Sequence, residues 1–423
     1  MFNDALPDYL YDTHPGYLVG GALRDLFCSR APVDWDIAVF EDPYKRASRL
    51  AQLTGGRFFK LGANRFAHFR VVHATGCVDI TPIHNGNIEA DLARRDFTIN
   101  AMAYDLSTNK LIDPLNGRDD IDHQLVRMTG PDCFINDPAR LIRAHRMAAN
   151  FRFHIDPLTF RTMTDQATLI SGVPGERIWP EWQIILQASQ SSGHVRAMAE
   201  NGLLAALFPD ADWDIDPHKL SRLNTLAGLE EIFENPEKQK HLPGPAVNFI
   251  NTMRVKERTL SKTAVLMHGM DTKKLNHCCN RLRTSRGEAE WIDFVVKNRR
   301  LATSICQSAS MQAIGRFFNL SSTYAPHLLL HGLAAMLITK NELNKKYDYI
   351  LGNYNKLLMY YFEKIEPLCH LPPLVTGREL MNATGLNPSP RLGELLTTIK
   401  EAHLEGRIQT KIEALNLAKS LSR

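Results

Sequence analysis

Two carboxylates one residue apart, Asp34 and Asp36 in the stretch Asp34-Trp35-Asp36-Ile37-Ala38-Val39, are the side chains of this 423-residue sequence best placed to do chemistry. The stretch alternates in the manner of a half-buried β-strand, and alternate strand residues project from one face. The two acids therefore stand side by side. Hard oxygen donors of this kind suit Mg²⁺, which takes one or two carboxylates and completes its shell with water and substrate phosphates. Asp79, between Val78 and Ile80 on a candidate neighbouring strand, offers a third carboxylate. Upstream, Gly20-Gly21 leaves room for phosphates at the start of a helical run, whose free N–H groups favour anions. Together these are the parts of a two-metal transfer, in which one ion acidifies an attacking hydroxyl and the other stabilises a departing pyrophosphate.

Asp-X-Asp alone is a weak signal. Asp212-Trp213-Asp214 repeats the triplet in an acidic stretch with no glycine pair before it, and reads as a solvated loop or helix cap. A capped or solvated turn is also the competing reading of Asp34 and Asp36. It is outweighed by the order of the surrounding elements: strand, Gly-Gly turn, helix, second strand.

Those elements begin with Tyr17-Leu18-Val19, a short apolar strand, and a helical run from Ala22 to about Cys28. Residues 66–72 and 77–80 read as two further strands, joined by a hairpin through Ala74-Thr75-Gly76. Asn85-Gly86-Asn87 then leads into a helix expected to carry Arg94, Arg95 and Asp96. After Asp137-Pro138 strand signals become scarce; Pro138 suits a first helical turn with Asn136 or Asp137 as its cap. Gly172-Val173-Pro174-Gly175, Phe208-Pro209-Asp210 and Asn235-Pro236 punctuate amphipathic helices, and residues 367–377 read as a linker before a final pair of helices. The fold class is α+β: a small mixed head over residues 1–125, then an all-helical neck (126–200), body (201–340) and tail (341–423).

Composition constrains the setting. The chain is too long for a single core, and its 44% hydrophobic and 23% charged residues are ordinary for a globular protein. A net charge of +4 tolerates a polyanionic partner without demanding one. Seven scattered cysteines read as reduced thiols of a cytoplasmic protein, and His277-Cys278-Cys279 lacks a second ligand pair at zinc spacing. The opening residues form no secretory leader, and no stretch approaches the ~20 apolar residues that span a bilayer.

On these residues the chain resembles the polymerase β-like nucleotidyltransferases, and more closely the bacterial class II family of CCA-adding tRNA nucleotidyltransferases and poly(A) polymerases. The matching strings are Leu18-Val19-Gly20-Gly21-Ala22-Leu23-Arg24-Asp25, the Asp34/Asp36 pair and Arg94-Arg95-Asp96-Phe97-Thr98-Ile99-Asn100-Ala101-Met102-Ala103. Further on come Asp113-Pro114-Leu115-Asn116-Gly117, Asp137-Pro138-Ala139-Arg140-Leu141-Ile142-Arg143-Ala144-His145-Arg146 and Gly175-Glu176-Arg177-Ile178. Residues 203–209, 374–380 and 393–396 also fit, the resemblance being dense over the first half and thinner beyond. Several ordered motifs agreeing is far more specific than any one of them.

The resemblance implies addition of CMP and/or AMP, from CTP and ATP, to a tRNA 3′ end, with Asp34 and Asp36 on Mg²⁺ and Asp79 assisting. Gly20, Gly21 and Arg24 would meet the triphosphate; Arg95, Asp96 and Asn100 belong to the string that contacts ribose and phosphates. Asp137 and Arg140, three apart on an expected helix, would share a face and read the nucleobase edge. Arg143 and Arg146 would continue the arginine row toward the phosphates. An ordinary basic helix face is the competing reading of that row.

Two departures bear on specificity. Asn136-Asp137 stands where the family has Glu-Asp, so strictness of base choice is open. The segment from Pro82 to Ala93, where many full CCA-adding relatives carry a longer loop, is short, as in partial enzymes adding only CC or only the terminal A. Long relatives also contain an HD-type phosphohydrolase domain. Here Ala264-Val265-Leu266-Met267-His268-Gly269-Met270 has glycine at the metal-binding aspartate and no His-Asp dipeptide occurs, so a fold remnant is expected. The tyrosines and lysines of residues 340–364 suit either RNA tracking or a helical core with solvated lysines. Poly(A) polymerase and a noncatalytic RNA-binding relative are the rival readings of the whole chain.

Overall fold

The alternation at Asp34–Val39 is one strand of a seven-stranded mixed sheet. Its strands are β1 (Tyr17–Val19), β2 (Asp34–Val39), β3 (Arg57–Leu61), β4 (His68–His73), β5 (Gly76–Pro82), β6 (Ala103–Asp105) and β7 (Lys110–Ile112). They lie in the order β3-β4-β5-β2-β1-β6-β7. The computed structural model describes residues 6–11, 16–62, 68–83, 86–211, 213, 221–307, 310–338, 346–369 and 371–422. Phe66, Asn85, Asp212, Asp214, Lys340 and Lys345, which figure in the sequence reading, lie outside the described residues.

Within this sheet, among the described residues, only β2 and β5 pair in parallel, with Asp36 opposite Asp79. A parallel pair needs a crossover, and the Pro43–Thr54 helix with β3 and β4 supplies it. That helix starts where the Asp42 side chain accepts the Tyr44 N–H, and stops at Gly55 in the left-handed region (φ 65°). Its Ala47 and Leu50 are fully buried, as are Ile37, Val71 and Ile80 of the sheet. The β4–β5 hairpin forms where the sequence reading put it, turning at residues 74–75. Strands β3, β6 and β7 escaped that reading.

The chain divides into two compact units: residues 1–185 with 198–207, and residues 186–197 with 208–423. In the first unit the structure corrects three expectations. The helix before Arg94 ends at Ala93, so Arg94, Arg95 and Asp96 lie in the turn beyond it. The cause is tertiary: Phe97 bridges Met128, and the Thr98 N–H donates to the Arg127 carbonyl (2.9 Å), pulling the backbone out of helix. Asp137 does not share a helix with Arg140 either. It follows the short Cys133–Asn136 helix in extended conformation (φ −150°, ψ 96°), and the long helix runs Arg140–Phe151. Proline disfavours helical backbone at the residue before it, so Pro138 separates the two. Finally, the stretch read as wholly helical contains strand His154–Ile155, paired in parallel with Leu125–Val126.

The second unit is helical throughout its described residues. The Ser221–Glu234 and Ala325–Ile338 helices approach so closely that a Cβ at Gly228 would lie 2.5 Å from the Ala334 carbonyl oxygen. Buried Lys262 is neutralised by Glu230 (3.1 Å) and Glu234 (3.2 Å) and donates to Ser191 (3.3 Å). The apolar helix of the HD-like segment ends at Leu266, leaving His268 past its end, half-buried with its ring 5.7 Å from that of His331. Gly269 has φ +92°, a conformation that suits glycine and gives it a backbone role. No three His, Cys, Asp or Glu side chains among the described residues are grouped to hold a metal. Tyr347, Tyr354 and Tyr361 are buried and Tyr349 is exposed, so most of that segment's tyrosines are core. The tail holds three helices rather than two, Gly377–Thr384, Pro390–Leu404 and Lys411–Leu421, around Leu380, Leu395 and Ile399. All seven cysteines are free thiols.

Candidate active site

β1 delivers the chain to Gly20, whose φ of 73° and ψ of −136° are open to glycine almost alone. A Cβ there would stand 2.9 Å from Arg95 Nη1 and 3.1 Å from Asp36 Oδ2. Glycine is thus what lets the turn close over a carboxylate and a guanidinium together. The Gly21 N–H donates to Asp36, so in the free protein the start of the following helix is turned on that acid.

Asp36 is mostly buried, and its carboxyl is pushed up to about 6. Burial is the main cause; Asp79 and Asp34 raise it further, while Arg95 and the Gly21 N–H oppose them. Asp34, on the same face of β2, is half-exposed. Asp79 faces Asp36 across the parallel pair but is engaged by Arg70, whose Nε and Nη2 hold its two oxygens at 2.8 and 2.6 Å. The fork holds the Arg70 guanidinium well above its usual range, and its Nη2 also lies 3.9 Å from Asp34. Asp34 and Asp36 fit the two-carboxylate, oxygen-rich donor set of a hard divalent cation. Asp79 could join them only if Arg70 let go.

Beyond Asp36 a polar network crosses the unit. Arg24, buried and lying over the Phe151 ring at 4.4 Å, donates to Asn100 Oδ1 (2.7 Å) and Asp25 (2.7 Å). Asn100 Nδ2 donates to Asp96 Oδ1 (2.9 Å), which also accepts the Phe97 N–H. Arg143 Nη1 donates to Asp96 Oδ2 (3.3 Å) and Arg143 Nε to Glu181 (3.3 Å); Glu181 ion-pairs with Arg146 as well. Burial works against the charged form of Asp96, yet Arg143 and the two donors outweigh it and hold the carboxyl below its usual range. Burial lowers Arg146, with Glu181 opposing and Arg143 and Arg24 adding to the effect.

Gly20, Gly21, Arg24, Asp36, Arg95, Asp96, Asn100, Arg140, Arg143, Arg146 and Met147 line one cleft of about 340 Å³. Ten expected site residues converge there; Asp34, Asp79 and Asp137 are not in its lining. Arg140 uses its guanidinium on the carbonyls of Arg95 (3.0 Å) and Arg94 (2.8 Å), while Asp137 accepts from Arg177 (2.8 Å). Two Nε–H groups of cleft arginines, on Arg95 and Arg140, are buried without a partner among the described residues. Five guanidinium groups around one cleft make a site for a polyanion.

Sequence reading gave no role to Arg70, Asp91, Arg177 or Glu181. Asp91 accepts from Arg94 and Arg95 at three- and four-residue spacing, a signal the sequence carried. Glu181 follows the Gly175-Glu176-Arg177-Ile178 string and shows itself only through packing.

Profiles of known families match in three segments: the poly A polymerase head domain over residues 16–127, the RNA and SrmB-binding site of polymerase A over 152–214, and tRNA nucleotidyltransferase domain 2 over 261–418. A CC-adding tRNA nucleotidyltransferase of Synechocystis sp. is 32% identical over 408 residues, covering 96% of this chain and 93% of the relative. An A-adding tRNA nucleotidyltransferase of Deinococcus radiodurans is 27% identical, covering 94% and 93%. A CCA-adding enzyme solved in complex with ATP shares the fold at a TM-score of 0.75 and 21% identity, over 100% of this chain and 98% of that one.

Proposed function

The chain belongs to the family of bacterial tRNA nucleotidyltransferases and poly(A) polymerases, and on that footing we propose that it adds CMP to the tRNA 3′ end, completing the CC step from CTP. It is an RNA nucleotidyltransferase, and enzymes of this family work with a divalent metal. The observation that carries the reading is the cleft: a glycine turn, a buried carboxylate and five guanidinium groups around one space. The restriction to CC rests on the 32% identity to a CC-adding relative along nearly the whole chain and on the short segment from Pro82 to Ala93.

In this reading Arg24, Arg143 and Arg146 hold the triphosphate, and Arg95 bridges it to the carboxylates. Asp34 and Asp36 hold Mg²⁺, which when bound acidifies the attacking hydroxyl and stabilises the departing charge. Asp96 and Asn100 keep Arg24 and Arg143 aimed at the cleft. Asp137 and Arg140 read the base, one as acceptor and one as donor, from separate backbone segments. Arg177 and the carbonyls of Arg94 and Arg95 fix where each begins. The four-part division at residues 125, 200 and 340 belongs to the same proposal, as does a cytoplasmic location; no described helix is long and apolar enough to cross a membrane.

The test is product length. Purified protein with Mg²⁺ is given tRNA transcripts ending before CCA, after C and after CC, with CTP, ATP or both. Addition of two C residues and a halt supports the proposal. Addition to full CCA, of A alone, or of long A tails assigns the chain to another branch of the family.

A further inference from the structure

The nucleotide cleft lies on one side of Asp36 only: its lining comes from the Gly20-Gly21 turn, the Arg95–Asn100 segment and the Arg140–Phe151 helix. In-line displacement requires the attacking oxygen to enter opposite the leaving pyrophosphate. If the phosphates lie toward Gly20, the attacking strand must come over the other side, across β5, β4 and β3.

The register shows what lies there. Residues opposite one another on paired strands share a face. One row on the acidic face reads Asp36, Asp79, Arg70, Phe59. The next reads Asp34, Cys77, Val72, Arg57. The Pro43–Thr54 helix covers the opposite face, where Tyr44 meets Phe58 and Phe69 at 5.4 and 5.7 Å. On the acidic face Phe59 is 47% exposed and Val72 40% exposed. Arg57 is exposed too. Arg70 spends Nε and Nη2 on Asp79, and among the described residues its Nη1 has no hydrogen bond. An aromatic ring with two arginines, continuous with the catalytic carboxylates, matches single-stranded nucleic acid: a flat surface for a base and cations for its backbone.

We infer that this strip, Phe59 with Arg70, Val72 and Arg57, is the docking site of the terminal nucleotide of the acceptor RNA, the base stacking on Phe59 and the backbone meeting the arginines. With strands about 4.8 Å apart, Phe59 lies roughly 14 Å from Asp36 along the row. A nucleotide whose hydroxyl is at the metal pair therefore spans toward the ring. Arg70 is a positioning residue in this arrangement: it holds Asp79 until RNA phosphate competes for it.

The inference rests on the proposed RNA-extending reaction, so its test is made by binding as well as turnover. An acceptor minihelix ending in 2-aminopurine is titrated onto the full chain without nucleotide, and its fluorescence reports stacking of the last base. Wild type and Phe59→Trp should quench it. Phe59→Ala should lose the quench, weaken minihelix binding about tenfold, the size of one lost base–aromatic stack, and raise the KM for RNA alike with the KM for CTP within about twofold. Phe59 is exposed, so the variant should fold as wild type does. Quench and RNA KM unchanged in Phe59→Ala would overturn the site. Loss of the quench in a protein that extends no RNA would keep the site and sink the proposed reaction instead.

Discussion

Glu181→Gln should destabilise the first unit in the absence of nucleotide and be largely rescued by CTP. Glu181 is the one anion among the described residues ion-paired with Arg146, and the two side chains are only 15% and 17% exposed. Arg143 shares the same carboxylate but keeps Asp96 at 3.3 Å, so the loss falls mainly on Arg146. Breaking a fully buried pair costs about 3–5 kcal/mol; the residual exposure brings this to roughly 2–3 kcal/mol. For a unit of this size that is a fall of about 5–10 °C in Tm. A bound triphosphate would restore the missing counter-charge, so saturating CTP should cut the Tm gap to less than half. Thermal melts of wild type and variant, each with and without CTP and no RNA present, measure both quantities. The same gap at saturating CTP would refute the reasoning, because the arginines would then not be facing phosphate. No gap at all would refute the claim that Arg146 depends on Glu181.

Asp36→Asn should reduce CMP incorporation by about a hundredfold or more, the several kcal/mol that metal positioning supplies, while minihelix affinity in a filter-binding assay stays near wild type. Incorporation at the wild-type rate would remove Asp36 from the chemistry. Gly20→Ala forces a left-handed alanine against Arg95 and Asp36, so CTP affinity by calorimetry should fall about tenfold for roughly 1–2 kcal/mol of strain; unaltered affinity would show the turn has room to spare. Arg177→Ala frees Asp137 and should lower the ratio of kcat/KM for CTP over ATP by about tenfold, for roughly 1–2 kcal/mol of lost positioning; an unchanged ratio would detach Asp137 from base choice. Two buried histidines and the half-buried His268 set an acid limit on the helical unit. Burial pushes His327 down to about 4 and His331 down to about 3, and holds His268 well below its usual range with the charges of His331 and Arg299 adding to it. Their unfolded forms protonate first, so stability is full above about pH 6.5 and falls below it, by about 1.4 kcal/mol per pH unit for each histidine down to its folded value. Urea midpoints at pH 7.5 and 5.5 measure this, and equal midpoints would contradict it.

What could be read from the chain alone follows from how far each relation reaches along it. Asp34 and Asp36 were legible because a strand's two-residue period is local and their partners, the glycine pair and helix, lie within the sixteen residues before Asp36. Arg140, Arg143 and Arg146 were legible for the same reason, at helical spacing. Asp137 was misplaced although its signal was local: Pro138 was read as opening a helix, when its stronger effect is on the residue before it. Arg95 and Asp96 were misplaced because the strand bridge at Phe97–Met128 reaches across thirty-one positions and overrides the helical preference of the segment. Arg70 and Phe59 could not be read at all. Nothing in Arg57-Phe58-Phe59-Lys60-Leu61 marks which face carries function, since both faces hold aromatic residues. The choice of face is made by the register to β4 and then to β5, fixed nine residues further on where Arg70 meets Asp79. A residue can therefore be part of a site through a chain of strand pairings while showing no motif of its own, and a sheet edge beside paired acids is where such residues should be sought.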